Sequence, residues 1–392
     1  MTNKSFFLLM TLTISVFGVI TTEVSVIGLL PQLELQLNIT PIQVGYLVSV
    51  YAIVVAIAGP VITLLLLKYN RKYVLLCILF IFIVSNIIYA TENIFNIILI
   101  FRILPALTHA LFFAVALVIA ANSVPKEKSA DAVATVFSGV ALGMVLGMPL
   151  SSFIAEYVSL SAAFYFGSVT CLIAFIGVFY FIPSLPVSQK INILEQVTIL
   201  KKPNLWLSIA TVTLIFSAMF SSFSYISDYL TKITHLSNNM IAIFLILFGA
   251  SGYMGNFIFS RLLQKNTVRT TYAYTFLFIL VYCLVWILGF SPFVMVLLII
   301  FWGIFHSSGL IVSQTWLMHE ASEAPEFANS LYIAFSNLGI TLGAMAGGFV
   351  ISHYGVHSIV LTGILFLILS FFSIYIKNRA TVAKQTSDKT II

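Results

Sequence analysis

Residues 95–122 read FNIILIFRILPALTHALFFAVALVIAAN. Across that stretch the only fixed charge is Arg102, and the only other titratable side chain is His109. A hydrocarbon core of roughly 30 Å takes roughly 20 apolar residues of helix, and this run is long enough to cross it. Working outward toward the N-terminus, comparable runs fall at about 73–91, 43–67 and 6–31. Toward the C-terminus they fall at about 131–157 and 161–183 and, after a polar break, at about 204–230, 239–263, 272–289, 292–318, 328–353 and 356–377. The pattern predicts an all-α membrane protein of twelve transmembrane helices, arranged as two six-helix bundles.

Composition agrees. Of 392 residues, 61% are hydrophobic and 8% charged, where an ordinary soluble chain carries roughly 25% charged. Mean hydropathy is +1.11. The first run is too long for a signal-peptide core and lacks a small-residue cleavage pattern, so it reads as a retained first helix. Cys77, Cys171 and Cys283 lie within apolar runs, without CxxC spacing or a neighbouring His cluster. They suggest neither a disulfide framework nor a metal site, and no metal or cofactor is expected. The chain holds no GxxxxGK[ST] phosphate loop, so any driving energy is expected from a gradient rather than from ATP.

The longest polar connection carries Pro183, Pro186, Lys190, Glu195, Lys201, Lys202 and Pro203. It divides the chain into an N-terminal half (1–183), a linker (184–203), a C-terminal half (204–377) and a tail (378–392) expected to be disordered. Basic residues then set the orientation. With the N-terminus in the cytoplasm, Lys4, Lys68, Arg71, Lys72, Lys126, Lys128, Lys190, Lys201, Lys202, Arg261, Lys265, Arg269, Lys377, Arg379, Lys384 and Lys389 all fall on the cytoplasmic side. Of the 18 Lys and Arg, that leaves only Lys232 outside and Arg102 within a run. The net charge of +6 thus reports topology, and no nucleic-acid partner is expected. The halves also look like copies: an offset near 197 sets Arg71 beside Arg269 and His109 on His306, the parallel-repeat logic of one large transporter class.

Several segments carry a family resemblance. They are Thr22-Glu23 with Gly28-Leu29-Leu30-Pro31; Gly59-Pro60 followed by Lys68-Tyr69-Asn70-Arg71-Lys72; Arg102 in its run; Gly139, Gly143, Gly147 and Pro149; and Asn337, Gly339, Gly343, Gly347 and Gly348. Together these resemble the major facilitator superfamily, in its twelve-helix drug:proton antiporter branch, and most of all the arabinose, nucleoside and chloramphenicol efflux permeases. The loop between the second and third runs departs from the family pattern. Leu67 stands where an Asp is usual and Asn70 where a Gly is usual, so a gating ion pair built on that Asp is absent or replaced.

The resemblance implies a proton-coupled exporter of small organic molecules working by alternating access, in a bacterial-type inner membrane with both termini cytoplasmic. The expected partners are the substrate, protons and the lipid bilayer, with the chain acting as a monomer. A metabolite or metallophore exporter and a sugar permease are the alternatives within transport. A polytopic membrane enzyme or sensor is the alternative outside it. No catalytic residue is assigned, because the central connection holds no His/Asp/Ser constellation; His319, Glu320, Glu323 and Glu326 between the tenth and eleventh runs read as a solvated loop, with cation binding by the acids as the alternative.

Glu23 is the one carboxylate deep in a run, and Arg102 the one deep base. Charged side chains at such depth are costly and usually functional. Both stand roughly 10–12 Å in from the external ends of their runs at 1.5 Å per residue, and a lone buried guanidinium wants a partner. Glu23, Arg102 and His109 are therefore the expected proton-coupling group, with Glu23 paired to Arg102. The competing reading has Arg102 binding backbone carbonyls and organising its helix. His109 and His306 read either as proton or ligand sites or as neutral hydrogen-bonded glue. Ser222, Tyr225, Asp228, Trp302, His306, Gln314 and Asn337 are the expected substrate contacts, since the resemblance places the seventh and tenth helices on the cavity; the competing reading makes the serines packing contacts. Gly59, Pro60, Arg71, Lys72, Gly143, Gly147 and Pro149 are the expected conformational motifs.

Overall fold

A computed structural model describes residues 3–185 and 193–390. Among them are twelve helices long and apolar enough to cross a membrane, and no strand. They are α1 (Lys4–Leu30), α2 (Gly45–Leu66), α3 (Arg71–Thr91), α4 (Phe95–Asn122), α5 (Lys126–Tyr157), α6 (Leu160–Phe181), α7 (Pro203–Lys232), α8 (Ile243–Lys265), α9 (Thr267–Leu288), α10 (Pro292–Met318), α11 (Pro325–Tyr354) and α12 (Val356–Thr381). The outer faces carry large exposed hydrophobes such as Ile57, Phe153, Phe293 and Phe372. On a water-soluble protein so continuous an apolar surface would aggregate; here it is the face that lipid covers.

Short polar signals start the helices. The Thr40 side chain accepts from the Gln43 amide while the Gln43 side chain reaches back, a capping box that opens the helix running into α2. Asn70 accepts from the Lys72 amide at the head of α3, Ser159 caps α6 and Asn266 caps α9. Gly355, at φ 83, ends α11, a conformation that a side chain would strain.

By packing, the chain forms two units. One comprises Met1–Gln196 with Pro325–Ala334, the other Val197–Ala324 with Phe335–Ile392. The opening turns of α11 therefore belong with the first unit. One expectation needs amending. The last helix continues to Thr390, where a disordered tail was expected; beyond Gly363 no Gly or Pro interrupts it, so nothing local stops the ladder. The linker, from Ile193, is a helical turn (Ile193–Val197) followed by a 3-10 turn (Thr198–Lys201). Its Pro186 and Lys190 lie outside the described residues.

Two close helix pairs, one in each unit, correspond residue by residue. On α5, a Cβ added at Gly139, Gly143 or Gly147 would meet the Thr13 carbonyl, the Ile20 side chain and the Thr21 hydroxyl of α1. On α11, a Cβ at Gly339, Gly343 or Gly347 would meet the carbonyls of Thr213, Ser217 and Ser221 of α7. Each residue of the second set is one of the first raised by two hundred, except that Ser217 answers to Phe17. The hydrogen bonds follow suit: Thr13 Oγ1 donates to the Thr135 carbonyl at 3.1 Å and Thr213 Oγ1 to the Phe335 carbonyl at 3.3 Å. Small residues let backbones touch where lipid supplies no hydrophobic drive. In α5 the glycine segment Gly143–Gly147 is a π-helical turn, with Pro149 just after it. A proline whose ring would crowd the carbonyl four residues back sits naturally after a widened turn.

Candidate functional site

In the first unit the three residues expected to handle protons do converge, and Tyr51 joins them. Arg102 is 1% exposed. Its Nε donates to the Leu47 carbonyl at 2.8 Å, Nη1 to the Thr22 carbonyl at 3.0 Å and Nη2 to the Glu23 carbonyl at 2.6 Å. Its guanidinium also lies 4.2 Å from the centroid of the Tyr51 ring, a cation–π contact. Arg102 of α4 thereby ties α1 and α2 together through main-chain oxygens.

The expected side-chain pair is thus replaced. Arg102 grips Glu23 by its backbone, and the ionisable neighbour of the Glu23 carboxylate is His109, with Nε2 3.8 Å from Oε2. The physical reason is geometric: a planar fork satisfies three converging carbonyls in a dry helix junction better than one carboxylate would. The Glu23 side chain is 18% exposed and that of His109 only 3%, so Glu23 is the accessible end of the group. His109 Nδ1 lies 2.8 Å from the Tyr51 hydroxyl. A line of three titratable groups results, Tyr51–His109–Glu23, spanning α2, α4 and α1. Asn86 donates to the Thr22 hydroxyl at 2.8 Å and steadies the same stretch of α1.

The second-unit residues divide. Ser222 Oγ donates to the Ile359 carbonyl at 3.2 Å and Tyr225 to the Ala344 carbonyl at 2.8 Å, so both bind neighbouring helices, a packing contact of the kind the alternative gives for the serines. Asp228 and Lys232 form an i,i+4 pair at 3.4 Å with both side chains more than half exposed, which sets Asp228 at a wet surface. Gln314 and Asn337 are buried, at 6% and 7% exposure. Trp302 and His306 do lie together, among aromatic rings. His306 is 4.6 Å from Phe223, 5.2 Å from Phe248 and 5.5 Å from Phe220 by ring centroids. Phe248 in turn meets Trp302 at 6.3 Å.

Of the conformational motifs, Gly59 abuts Ala110 of α4 and Pro60 sits inside the α2 helix. Asn70 accepts from the Leu185 amide and donates to Ser184, so it stitches the α2–α3 loop to the end of α6. Lys72 Nζ donates to the Phe179 carbonyl at 2.6 Å. Arg71 is ion-paired with Glu326, which is 4% exposed at the start of α11. The acids between α10 and α11 are therefore no free solvated loop. Glu326 pairs with Arg71, Glu323 with Lys202, and Glu320 with Lys377 at 3.6 Å. Burial works to raise the Glu323 carboxyl, but the hydrogen bond from Lys202 holds it below the ordinary carboxylate range. The spacing of three residues in Glu320, Glu323 and Glu326, on the side of the chain where the basic residues gather, was the available signal. Tyr51 had a signal too, since the repeat offset sets it on Phe248.

Comparison with known proteins gives a consistent result. The Major Facilitator Superfamily profile matches residues 12–326. The chain is 31% identical to the inner membrane transport protein YdhP of Escherichia coli (strain K12), over 88% of each chain. It is 30% identical to a probable sugar efflux transporter of Pasteurella multocida (strain Pm70), over 93% of this chain and 91% of that one. In fold it matches the crystal structure of the human organic anion transporter MFSD10 (TETRAN), with a TM-score of 0.75 at 14% identity over 94% of this chain and 99% of that one. The Escherichia coli fucose:proton symporter FucP matches with 0.74 at 13% identity, over 93% and 97%. Family and relatives are transporters rather than enzymes, and the chain belongs to the major facilitator superfamily as a multi-pass membrane transporter.

Proposed function

We propose that this transporter exports small organic molecules in exchange for protons, by alternating access, with Glu23 and His109 as the proton-handling pair. The observation that supports this most directly is the Tyr51–His109–Glu23 line, half open at Glu23 and closed at Tyr51. A neutral imidazole donates from one nitrogen and accepts at the other. With Glu23 ionised, His109 Nε2–H faces the carboxylate and the Tyr51 hydroxyl donates to Nδ1. With Glu23 protonated, Nε2 accepts and Nδ1–H donates to Tyr51. The proton on Glu23 is thereby read out across α1, α4 and α2 as a tautomer and a hydroxyl direction. The separation of 3.8 Å exceeds a direct hydrogen bond, so a small side-chain rotation or a bridging water completes the line. Arg102 supplies the positive charge that balances Glu23 when the proton is off.

The proposal includes both termini in the cytoplasm, a bacterial-type inner membrane and a monomer. Export follows the resemblance of the α5 glycines to those of exporters. The relative named as a probable sugar efflux transporter favours a sugar as the second reading. Uptake into inverted vesicles under an imposed pH gradient, with a panel of dyes, antibiotics, sugars and nucleosides, tests both. Uptake that collapses with a protonophore supports coupling, whereas uptake that survives full dissipation of the gradient marks a facilitator.

A further inference from the structure

The internal repeat carries more than a count of helices. The glycine contacts align α1 with α7, so Phe223 occupies the position of Glu23. Tyr51 precedes His109 by 58 residues, and Phe248 precedes His306 by the same interval. In each unit the corresponding helices bring the three positions together. His109 meets Glu23 at 3.8 Å and the ring of Tyr51 at a centroid distance of 5.7 Å. His306 meets Phe223 at 4.6 Å and Phe248 at 5.2 Å. Even the partial exposure is shared, because Phe223, like Glu23, is half-buried.

The histidine is thus kept in both units, while both of its polar partners are replaced by phenylalanine in the second. One consequence is visible. His109 Nδ1 has Tyr51, whereas His306, 5% exposed, has a buried Nδ1 with no partner. Packing gives no reason for this. The rings of Phe220, Phe223, Phe248 and Trp302 would enclose a further phenylalanine with one unsatisfied polar atom fewer, the Trp302 Nε1 being already buried without a partner.

We propose that His306 is the recognition point of a ligand site in the second unit, and that the site takes a neutral, flat aromatic solute bearing one hydrogen-bonding group. The rings hold the aromatic body by stacking and edge contacts. The orphan Nδ1 takes the single polar group. Phe223 is the half-open wall through which the solute enters. Among the described residues no carboxylate or ammonium is in contact with the His306 ring, and the ion pairs of this unit, Asp228–Lys232, Lys202–Glu323 and Lys377–Glu320, match charge to charge without it. A sugar would bring many hydroxyls to one acceptor and leave most of them unsatisfied. The inference rests on the proposed transport function but divides its labour: protons in the first unit at Glu23 and His109, solute in the second at His306.

The test is saturation binding of 2-naphthol and of naphthalene to the full chain in nanodiscs, corrected with empty nanodiscs. The two probes share a ring system and differ by one hydroxyl. The chain should bind 2-naphthol roughly tenfold more tightly, the worth of one net hydrogen bond. His306→Phe should bring the two affinities together. Phe248→Tyr keeps the histidine but offers Nδ1 the hydroxyl that Tyr51 offers His109. It should bring the two affinities together as His306→Phe does, so the inference stays testable if His306→Phe does not fold. Equal affinities in the native chain, binding of neither probe, or a preference that survives Phe248→Tyr would overturn it. Binding is read without a pH gradient, so a failure of proton coupling leaves this result untouched.

Discussion

An arginine buried in a membrane span has five donors and one charge to place. Arg102 places them on three main-chain carbonyls and a tyrosine face. A consequence follows for mutants. Were Glu23 and Arg102 a buried ion pair, removing one partner would hurt more than removing both. With Arg102 held by carbonyls, its loss removes hydrogen bonds that Glu23→Gln leaves in place, so the double variant should be no more stable than Arg102→Ala alone. Arg102→Ala should lose on the order of 3 kcal/mol, because charge-assisted hydrogen bonds linking three helices go at once. Glu23→Gln should lose little. Thermal unfolding in detergent of the native chain, both single variants and the double variant checks this, and recovery of stability in the double variant would restore the ion pair. At this scale the sequence was half legible. Burial of Glu23, Arg102 and His109 could be read from their runs and depths. Their pairing could not, because depth fixes height along the bilayer normal while the partner depends on helix rotation and on backbone oxygens that no residue type reveals.

Among the elements, α1 with α5 and α7 with α11 depend on glycine in different ways. A Cβ on Gly343 would come within 2.9 Å of the Ser217 Cα and closer still to its carbonyl oxygen, and backbone has nowhere to go. A Cβ on Gly143 would meet the Ile20 Cγ2 at 2.6 Å and Cβ at 2.9 Å, with the Phe17 carbonyl at 3.4 Å; the Cγ2 can turn away, so the helix must give only by what the Cβ requires. Gly343→Ala should therefore cost about 1–3 kcal/mol, the usual range for overpacking, and Gly143→Ala the low end of it. Melting temperatures of the two variants measured side by side decide the order, and equal losses would contradict it. The four-residue glycine spacing announced close helices from sequence alone. The π-helical turn at Gly143–Gly147 was not announced, since widening by one residue leaves no mark on composition. The paired acids between α10 and α11 were misread because a loop's charges look solvated until the bases opposite them are placed.

For the whole molecule, the polar break and the one-sided distribution of basic residues made twelve spans and a repeat legible before any coordinates. The repeat then did what composition could not: it set Glu23 against Phe223 and Tyr51 against Phe248, two environments for one histidine. The proposed orientation predicts that single cysteines replacing Asn238 and Asn266 report opposite sides of the membrane, with Asn266 cytoplasmic. Equal labelling by an impermeant maleimide from outside would overturn it. The central claim is that Glu23, read by His109, carries the coupled proton. The most direct measurement is proton movement in inverted vesicles, followed with a pH-sensitive dye, on adding a substrate that the native chain transports. The native chain should move protons with substrate. Glu23→Gln should abolish that movement while leaving downhill substrate exchange in place, and His109→Phe should weaken it. A Glu23→Gln chain that still moves protons with substrate would contradict the account.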